Sequence, residues 1–461
     1  MLTLRKNQEE PISKAVEFFK EKEPKPSIIV LPTAWGKSIL TAFVAKNINE
    51  KLLILQPSKE LLEQNYRKYD QLCRFEATSG IYSASFGRKE IRRITYATIG
   101  SIKSIGKYFK DLGFKKMLID EAHLYPREAD SMLGKFLKDS EITHVLGITA
   151  TPLKLQQNTM KGGEKYSKLV MLTSKSKKGN FFKDIIHVGQ VKEMLELGYW
   201  CKLKYAATKF DGSLLVYNSS KSEYTEASIE QAFTANDIHL QIKQQLNENS
   251  DRKHILVFVP SVAEAIELSK QYPNSAAIWG EMDKRTRERT INDFRAGKIR
   301  VIFNVRVLST GFDYTGIDCI ILGISTASFA LYYQIIGRAT RIDTNKTDAL
   351  IIDLAGNVER FGRVEDITFE KGTIWRMFGT DGRLLSGIPV HDIGIKFKND
   401  VERLEEDKKN GGLTIIRFGK YKGMQLKDVP RGYRQWMLKN INWTPDKENL
   451  RKAILNSLQQ A

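Results

Sequence analysis

The sequence predicts an α/β protein made of two tandem parallel-sheet units with a cleft between them, followed by a small C-terminal accessory domain. Three observations carry that prediction. Near-continuous apolar runs of strand length alternate with stretches of helical periodicity, the pattern of a parallel sheet covered on both faces. Short polar motifs recur just past the C-terminal ends of those runs, where such sheets bind ligands. The series occurs twice, and only its first copy opens on a phosphate-binding loop.

That loop is Pro32-Thr33-Ala34-Trp35-Gly36-Lys37-Ser38. It follows the strand-like run Ser27-Ile28-Ile29-Val30-Leu31 and leads into a helical stretch with Ile39, Leu40, Phe43, Val44 and Ile48 on one side. Strand, tight loop and helix N-terminus form an anion cradle, because loop N–H groups and the positive end of the helix dipole converge on it. Lys37 would reach the β- and γ-phosphates, and the Ser38 hydroxyl would sit on Mg²⁺. The pattern departs from the common one at Leu31 and Ala34, where glycines are usual. Trp35 is expected to pack beside the loop.

Upstream, Leu4-Arg5-Lys6-Asn7-Gln8 precedes an amphipathic helix carrying Ile12, Ala15, Val16 and Phe19. The two-faced amide of Gln8 suits an adenine edge, although an isolated Gln is more often a plain surface residue. Downstream strands are Lys51–Gln56, followed by Pro57-Ser58-Lys59, then Arg93–Thr98, Lys116–Ile119 and Thr143–Ile148. The third of these runs into Asp120-Glu121-Ala122-His123 and the fourth into Thr149-Ala150-Thr151-Pro152. A carboxylate at a strand end can hold Mg²⁺, and its neighbour can orient or deprotonate a water. Asp120 and Glu121 are assigned those tasks. Residues 153–180 carry seven lysines against one acid, Glu164, and read either as a mobile basic loop or as a DNA-facing insertion.

The second unit begins with a helix around Ile238–Leu246 and the strand His254–Val259, which leads to Pro260-Ser261. Further strands are Ala276–Gly280, Arg300–Val305, Cys319–Leu322 and Leu350–Asp353. Tyr333–Arg341 reads as a helix start. The domain boundaries are therefore set at 1–205 for the first unit, 206–235 for a connection and 236–358 for the second unit. Residues 359–412 read as linker and charged helix, and 413–461 as the accessory domain. In that last segment Tyr421, Tyr433 and Trp436 lie among basic residues, as nucleic-acid stacking groups or as the core of a tiny domain.

Lys and Arg number 73 against 54 acids, a net charge of +19 that favours a polyanionic partner, most simply nucleic acid. No uncharged apolar run is long enough for a membrane span. Cys73, Cys201 and Cys319 lack metal-ligand spacing and read as reduced thiols of a cytoplasmic protein.

Together these stretches resemble superfamily 2 helicases of the DExH group, over about residues 2–358. Within that group the chain is similar to RadD-like recombination helicases and short bacteriophage relatives. Asn304–Asp313, Tyr332–Arg338 and Lys346–Asn357 carry the likeness beside the phosphate loop. The resemblance implies two RecA-like domains that bind ATP and Mg²⁺. Arg5 and Gln8 would contact adenine, and Thr33 to Ser38 would cradle the phosphates. His123, Thr149 and Thr151 would couple nucleotide state to domain motion. Thr310, Gly311 and Asp313 would work at the inter-domain face, with Gly311 and Asp313 near the nucleotide. Gln334, Arg338 and Arg341 would act from the second domain, the arginines reaching the γ-phosphate. Pro57, Ser58, Lys59, Thr98, Pro260, Ser261, Ser309 and Thr310 would grip the strand, mostly through phosphates.

The implied activity is an ATP-dependent DNA helicase or translocase acting on single-stranded, forked or branched DNA in replication, recombination and repair. A monomer is expected, working beside single-strand-binding or recombination proteins and away from membranes. Three alternatives stay open at this point: a duplex translocase of a restriction system, a non-hydrolysing annealing or clamp protein, and an RNA helicase.

Overall fold

The computed structural model describes residues 4–73, 78–125, 131–159, 163, 165–174, 180–305, 307–308, 314–372, 374–393, 426, 429–440, 451, 454–455 and 458. The chain forms two compact units, Met1–His391 and Asp392–Ala461.

The larger unit holds two lobes. In the first, α1 (Glu9–Phe18), β1 (Ser27–Val30), α2 (Lys37–Asn47), β2 (Leu52–Leu55) and α3 (Lys59–Leu72) come in turn. Then follow β3 (Ser79–Ser83), β4 (Arg88–Lys89), β5 (Ile94–Ala97), α4 (Ile99–Ile102) and α5 (Gly106–Asp111). The lobe continues through β6 (Lys116–Ile119), α6 (Met132–Ser140), β7 (His144–Thr149), β8 (Leu153–Thr159) and β9 (Lys165–Met171). It ends with β10 (Asp184–Val188) and α7 (Val191–Glu196). Its main sheet has the order β10-β1-β7-β6-β2-β5-β3-β4, with every pair parallel except β3 with β4. All residues of β1, β2, β5 and β6 are buried, which is why these strands read as unbroken apolar runs. Parallel pairing brings the phosphate loop, Pro57, Thr98, Asp120 and Thr149 to one edge of the sheet.

The second lobe starts with β11 (Lys202–Ala207), α8 (Glu226–Ala235), α9 (Ile238–Glu248), β12 (Ile255–Phe258), α10 (Val262–Gln271) and β13 (Ser275–Ile278). It continues through α11 (Lys284–Arg295), β14 (Val301–Asn304), β15 (Cys319–Leu322), α12 (Phe329–Ile336), β16 (Asp348–Asp353) and α13 (Asn357–Phe361). Its all-parallel sheet has the order β11-β16-β15-β12-β14-β13. The two-sheet α/β architecture expected from the sequence is what the protein adopts.

Four expectations need correction. Lys202–Ala207 is an edge strand of the second sheet, paired with β16, so the first lobe ends before residue 202 rather than at 205. Residues 153–180 open as an antiparallel hairpin, β8 with β9 from Leu153↔Met171 to Thr159↔Lys165, and not as a mobile loop. The stretch 359–393 is not a linker. After α13 it forms a second hairpin, β17 (Thr368–Lys371) with β18 (Trp375–Phe378), anchored on the first lobe. There the Gln190 amide donates to the Phe369 carbonyl at 3.0 Å, and the Asp184 carboxylate accepts from Trp375 Nε1 at 3.0 Å. Finally, α12 ends at Ile336, so Arg338 and Arg341 sit past a helix end instead of opening one. The charged stretch Asp400–Lys409 and Tyr421 lie outside the described residues.

The smaller unit contains α14 (Arg431–Asn440) and a core of Leu426, Val429, Met437 and Ile454. Tyr433 packs against that core, while Trp436 stacks on Tyr433 at 5.2 Å and stays half exposed.

Candidate functional site

The phosphate loop is held open by backbone conformation. Gly36, the residue before α2, has φ +99°, and Ala34 has φ +57°. The left-handed region costs a residue with a side chain about 1–2 kcal/mol. At Ala34 the strain is sustained by neighbours: its carbonyl accepts from the Arg5 guanidinium at 3.4 Å. Gln8 braces the next residue, its Nε2 donating to the Trp35 carbonyl at 2.9 Å while its Oε1 accepts from Arg5 N at 2.9 Å. A Cβ at Gly36 would lie 2.7 Å from Gln8 Nε2. Gln8 is fully buried, so in this structure its amide shapes the loop from behind and presents no face to solvent. Trp35 is buried, its Nε1 close to Gly189.

Asp120 and Glu121 follow β6 at the same edge. Glu121 adopts φ +45°, a strained conformation for a non-glycine residue, and its carboxylate forms an ion pair with Lys37. Burial pushes the Glu121 acid up, but the Lys37 ammonium, with His123 and Arg338, draws it below the usual carboxylate range. Asp120 is buried, accepting from Asn65 Nδ2 at 3.1 Å and from Glu121 N at 2.9 Å. Burial first, and then the Glu121 charge, raise its acid to about 6. Ser38 and Asp120 both line the cleft. One hydroxyl and one carboxylate suit a hard dication that keeps water and phosphate oxygens as its other ligands. Among the described residues no cluster of three or more His, Cys, Asp or Glu offers a different metal site.

The three residues assigned to coupling are contiguous. His123 Nδ1 lies 3.5 Å from Glu121 Oε2 and 2.8 Å from Thr149 Oγ1. Thr149 Oγ1 in turn accepts from Thr151 N at 3.1 Å.

A cleft of about 1140 Å³ joins the lobes, lined by Arg5, Lys37 and Glu121 on one side and Gln334, Arg338 and Arg341 on the other. The Thr33 carbonyl accepts from Trp200 Nε1 at 2.9 Å, in the stretch that leads into the second lobe. The lobes touch at Thr33, where a Cβ on Gly337 would come within 2.7 Å of its hydroxyl oxygen. Gly337→Ala should therefore wedge the cleft, at a cost of about 1–3 kcal/mol to closure. Turnover is expected to fall about tenfold with the thermal unfolding midpoint little changed, and unchanged turnover would remove the close approach from the cycle.

The residues assigned to strand grip are not all together. Pro57, Ser58 and Lys59 line this same cleft. Ser58 Oγ caps α3 by accepting from Leu61 N at 3.3 Å, and Lys59 Nζ donates to the Ser85 carbonyl at 2.9 Å. The Thr98 hydroxyl meets Ser101 Oγ at 2.9 Å. Pro260 and Ser261 precede α10 in the second lobe, with Ser261 Oγ accepting from Glu264 N at 3.3 Å. Ser309, Thr310, Gly311 and Asp313 lie outside the described residues.

Sequence reasoning missed Asn65, Tyr199 and Trp200. Asn65 lies on the buried face of α3 with Leu62 and Tyr69, and a polar residue in an apolar stripe was the available signal. The Arg5 guanidinium stacks over the Tyr199 ring at 4.7 Å, and both line the cleft. Lys284, Arg287 and Arg295 of α11 also reach it.

A phosphate loop on one parallel sheet, faced by arginines from a second, defines a two-lobed protein of the phosphate-loop class. Residues 1–154 match the family described as the res subunit of Type III restriction enzymes, and residues 236–343 the helicase conserved C-terminal domain. The chain belongs to the superfamily 2 helicases.

It is 25% identical, over 90% of its length, to a Schizosaccharomyces pombe protein described as a mitochondrial ATP-dependent helicase, irc3. It is 24% identical, over 73% of its length, to a 51.5 kDa protein of a Lactococcus phage, covering 67% of that protein. A Saccharomyces cerevisiae protein described as the ATP-dependent helicase IRC3 is 23% identical over 83% of the chain. The chain spans 65% and 57% of the fission-yeast and budding-yeast relatives. In fold it resembles the ATP-dependent Type ISP restriction-modification enzyme LlaBIII bound to DNA, with a TM-score of 0.56 at 16% identity. That likeness covers 77% of this chain and 28% of the enzyme.

Proposed function

We propose that the protein is an ATP-hydrolysing motor that unwinds or branch-migrates forked and branched DNA, in replication, recombination and repair. The observation that carries this reading is the single cleft shared by Lys37 and Glu121 of one lobe and Arg338 and Arg341 of the other. ATP entering it competes for the Lys37 ammonium, because its phosphates are the stronger anion at the helix N-terminus. Lys37 then leaves Glu121, whose freed carboxylate orients and deprotonates the attacking water. Ser38 and Asp120 would hold Mg²⁺, which supplies charge neutralisation on the β- and γ-phosphates. Arg338 completes the site only while the lobes are closed, so turnover and lobe motion are tied together. The relay from Glu121 through His123 and Thr149 to Thr151 carries that state toward β8, which starts two residues later.

DNA as the polyanion is supported by the +19 charge and by the fold likeness to an enzyme solved on DNA. The test is ATP turnover with single-stranded, duplex, forked and four-way DNA and with RNA. Forked or single-stranded DNA should stimulate most, with affinity falling steeply as salt rises. Indifference to every nucleic acid would refute the motor, and preference for RNA would refute the substrate.

A second reading, translocation on duplex without unwinding, is favoured by the match of residues 1–154 to restriction-enzyme res subunits. Strand-displacement and triplex-displacement assays run side by side separate the two, since a pure translocase removes only the third strand.

A further inference from the structure

We propose that a second groove on the larger unit holds unpaired bases of the nucleic-acid strand, an inference that rests on the motor reading above. The groove, of about 920 Å³, lies between the β8–β9 hairpin and the β17–β18 hairpin, with His123, Leu124 and Tyr125 also lining it. Three strongly exposed large apolar side chains converge on it: Leu124 at 50%, Leu155 at 45% and Ile374 at 55%. Scattered exposed leucines need no explanation, but three around one groove form a patch that does.

The polar groups of the groove say what covers it. Lys154 and Arg376 line it, and none of its lining residues is an Asp or Glu. Among the described residues neither cation is in an ion pair. Tyr125 is 5% exposed, and its hydroxyl finds no hydrogen-bond partner among the described residues. Cations outside any ion pair for phosphates, apolar and aromatic faces for bases, and a buried hydroxyl lacking a partner among the described residues are the chemistry of a single-strand platform. The excess of base over acid in the whole chain points the same way. The location adds a functional link, because His123 both lines the groove and bonds to Thr149 in the relay beside the nucleotide cleft. A strand held here would feel each change of nucleotide state.

All three cysteines are buried, so an introduced surface thiol is chemically addressable. Leu155→Cys and Ile374→Cys should cross-link to a forked DNA whose single-stranded arm carries an activated disulfide. The yield should be about tenfold or more above Leu240→Cys, an exposed position on α9, and unmodified DNA should compete it away. In the same protein Leu155→Asp with Ile374→Asp should weaken fork binding about tenfold and leave ATP turnover without DNA unchanged. If wild-type protein binds the fork and its turnover responds, yet cross-linking equals the Leu240→Cys level, the groove is not a strand site and a protein partner becomes its occupant. If wild-type protein binds no nucleic acid at all, the motor reading and this inference fall together. Cross-linking to an RNA arm in preference keeps the groove and overturns only the choice of DNA.

Discussion

Lys37→Ala is expected to lower ATP turnover by at least about 10²–10³-fold while leaving affinity for forked DNA within about twofold. The side chain has two partners in the cycle, and alanine removes both interactions. In the structure its ammonium neutralises Glu121 inside the cleft, and with ATP present it would neutralise phosphate oxygens gathered at the N-terminus of α2. Without it Glu121 is left with burial pushing its acid up and its largest opposing charge gone. Phosphate binding is then weakened, and Glu121 loses the cation that holds it charged before ATP arrives. Of the residues assigned to the strand, Pro57, Ser58 and Lys59 share the cleft with Lys37, whereas Pro260 and Ser261 belong to the other lobe, ahead of α10. Turnover at saturating DNA and anisotropy of a labelled fork provide the two readouts. Equal loss in both would show that nucleotide and strand share one binding surface.

The parts of this site that the sequence made legible are those where one strand end fixes everything. Val30, Ile119 and Thr149 end strands buried on both faces, so the polar residues that follow them are forced to the carboxyl edge of the sheet. Gln8 was harder, because a fully buried amide and a surface amide have the same local sequence. Only the fold reveals that it spans Arg5 and Trp35. Lys202–Ala207 has no buried residue, and its place in the second sheet is set by pairing with β16, a contact distant in sequence. The same holds for the two hairpins around the second groove. β8 carries one buried residue, Leu153, and β17 also carries one, Phe369. Such strands leave almost no hydrophobic alternation to read, although β9 buries Ser167, Leu169 and Met171 at alternate positions.

Arg338→Ala is expected to lower turnover about 10³–10⁵-fold, the worth of an arginine finger, with ATP affinity changed only a few-fold. That range corresponds to about 4–7 kcal/mol of transition-state stabilisation. Four arginines of the second lobe line the cleft, and the two assigned to the γ-phosphate, Arg338 and Arg341, are not equivalent. The charge of Arg338 bears on Glu121, the residue assigned to the attacking water, whereas that of Arg341 bears on Lys346. A group acting on the developing γ-phosphate charge has to bear on the site of the base, and of these two arginines it is Arg338 whose charge reaches Glu121. Arg341→Ala should therefore cost turnover much less. Arg338→Lys should recover only part of the loss, since an ammonium lacks the planar fork of donors that a phosphoryl group meets. Pre-steady-state single turnovers separate chemistry from release, and a titration with a fluorescent, non-hydrolysed ATP analogue gives the affinity. If Arg338→Ala turns over at near the normal rate, the second lobe does not supply the finger, and closing the cleft cannot be what triggers hydrolysis.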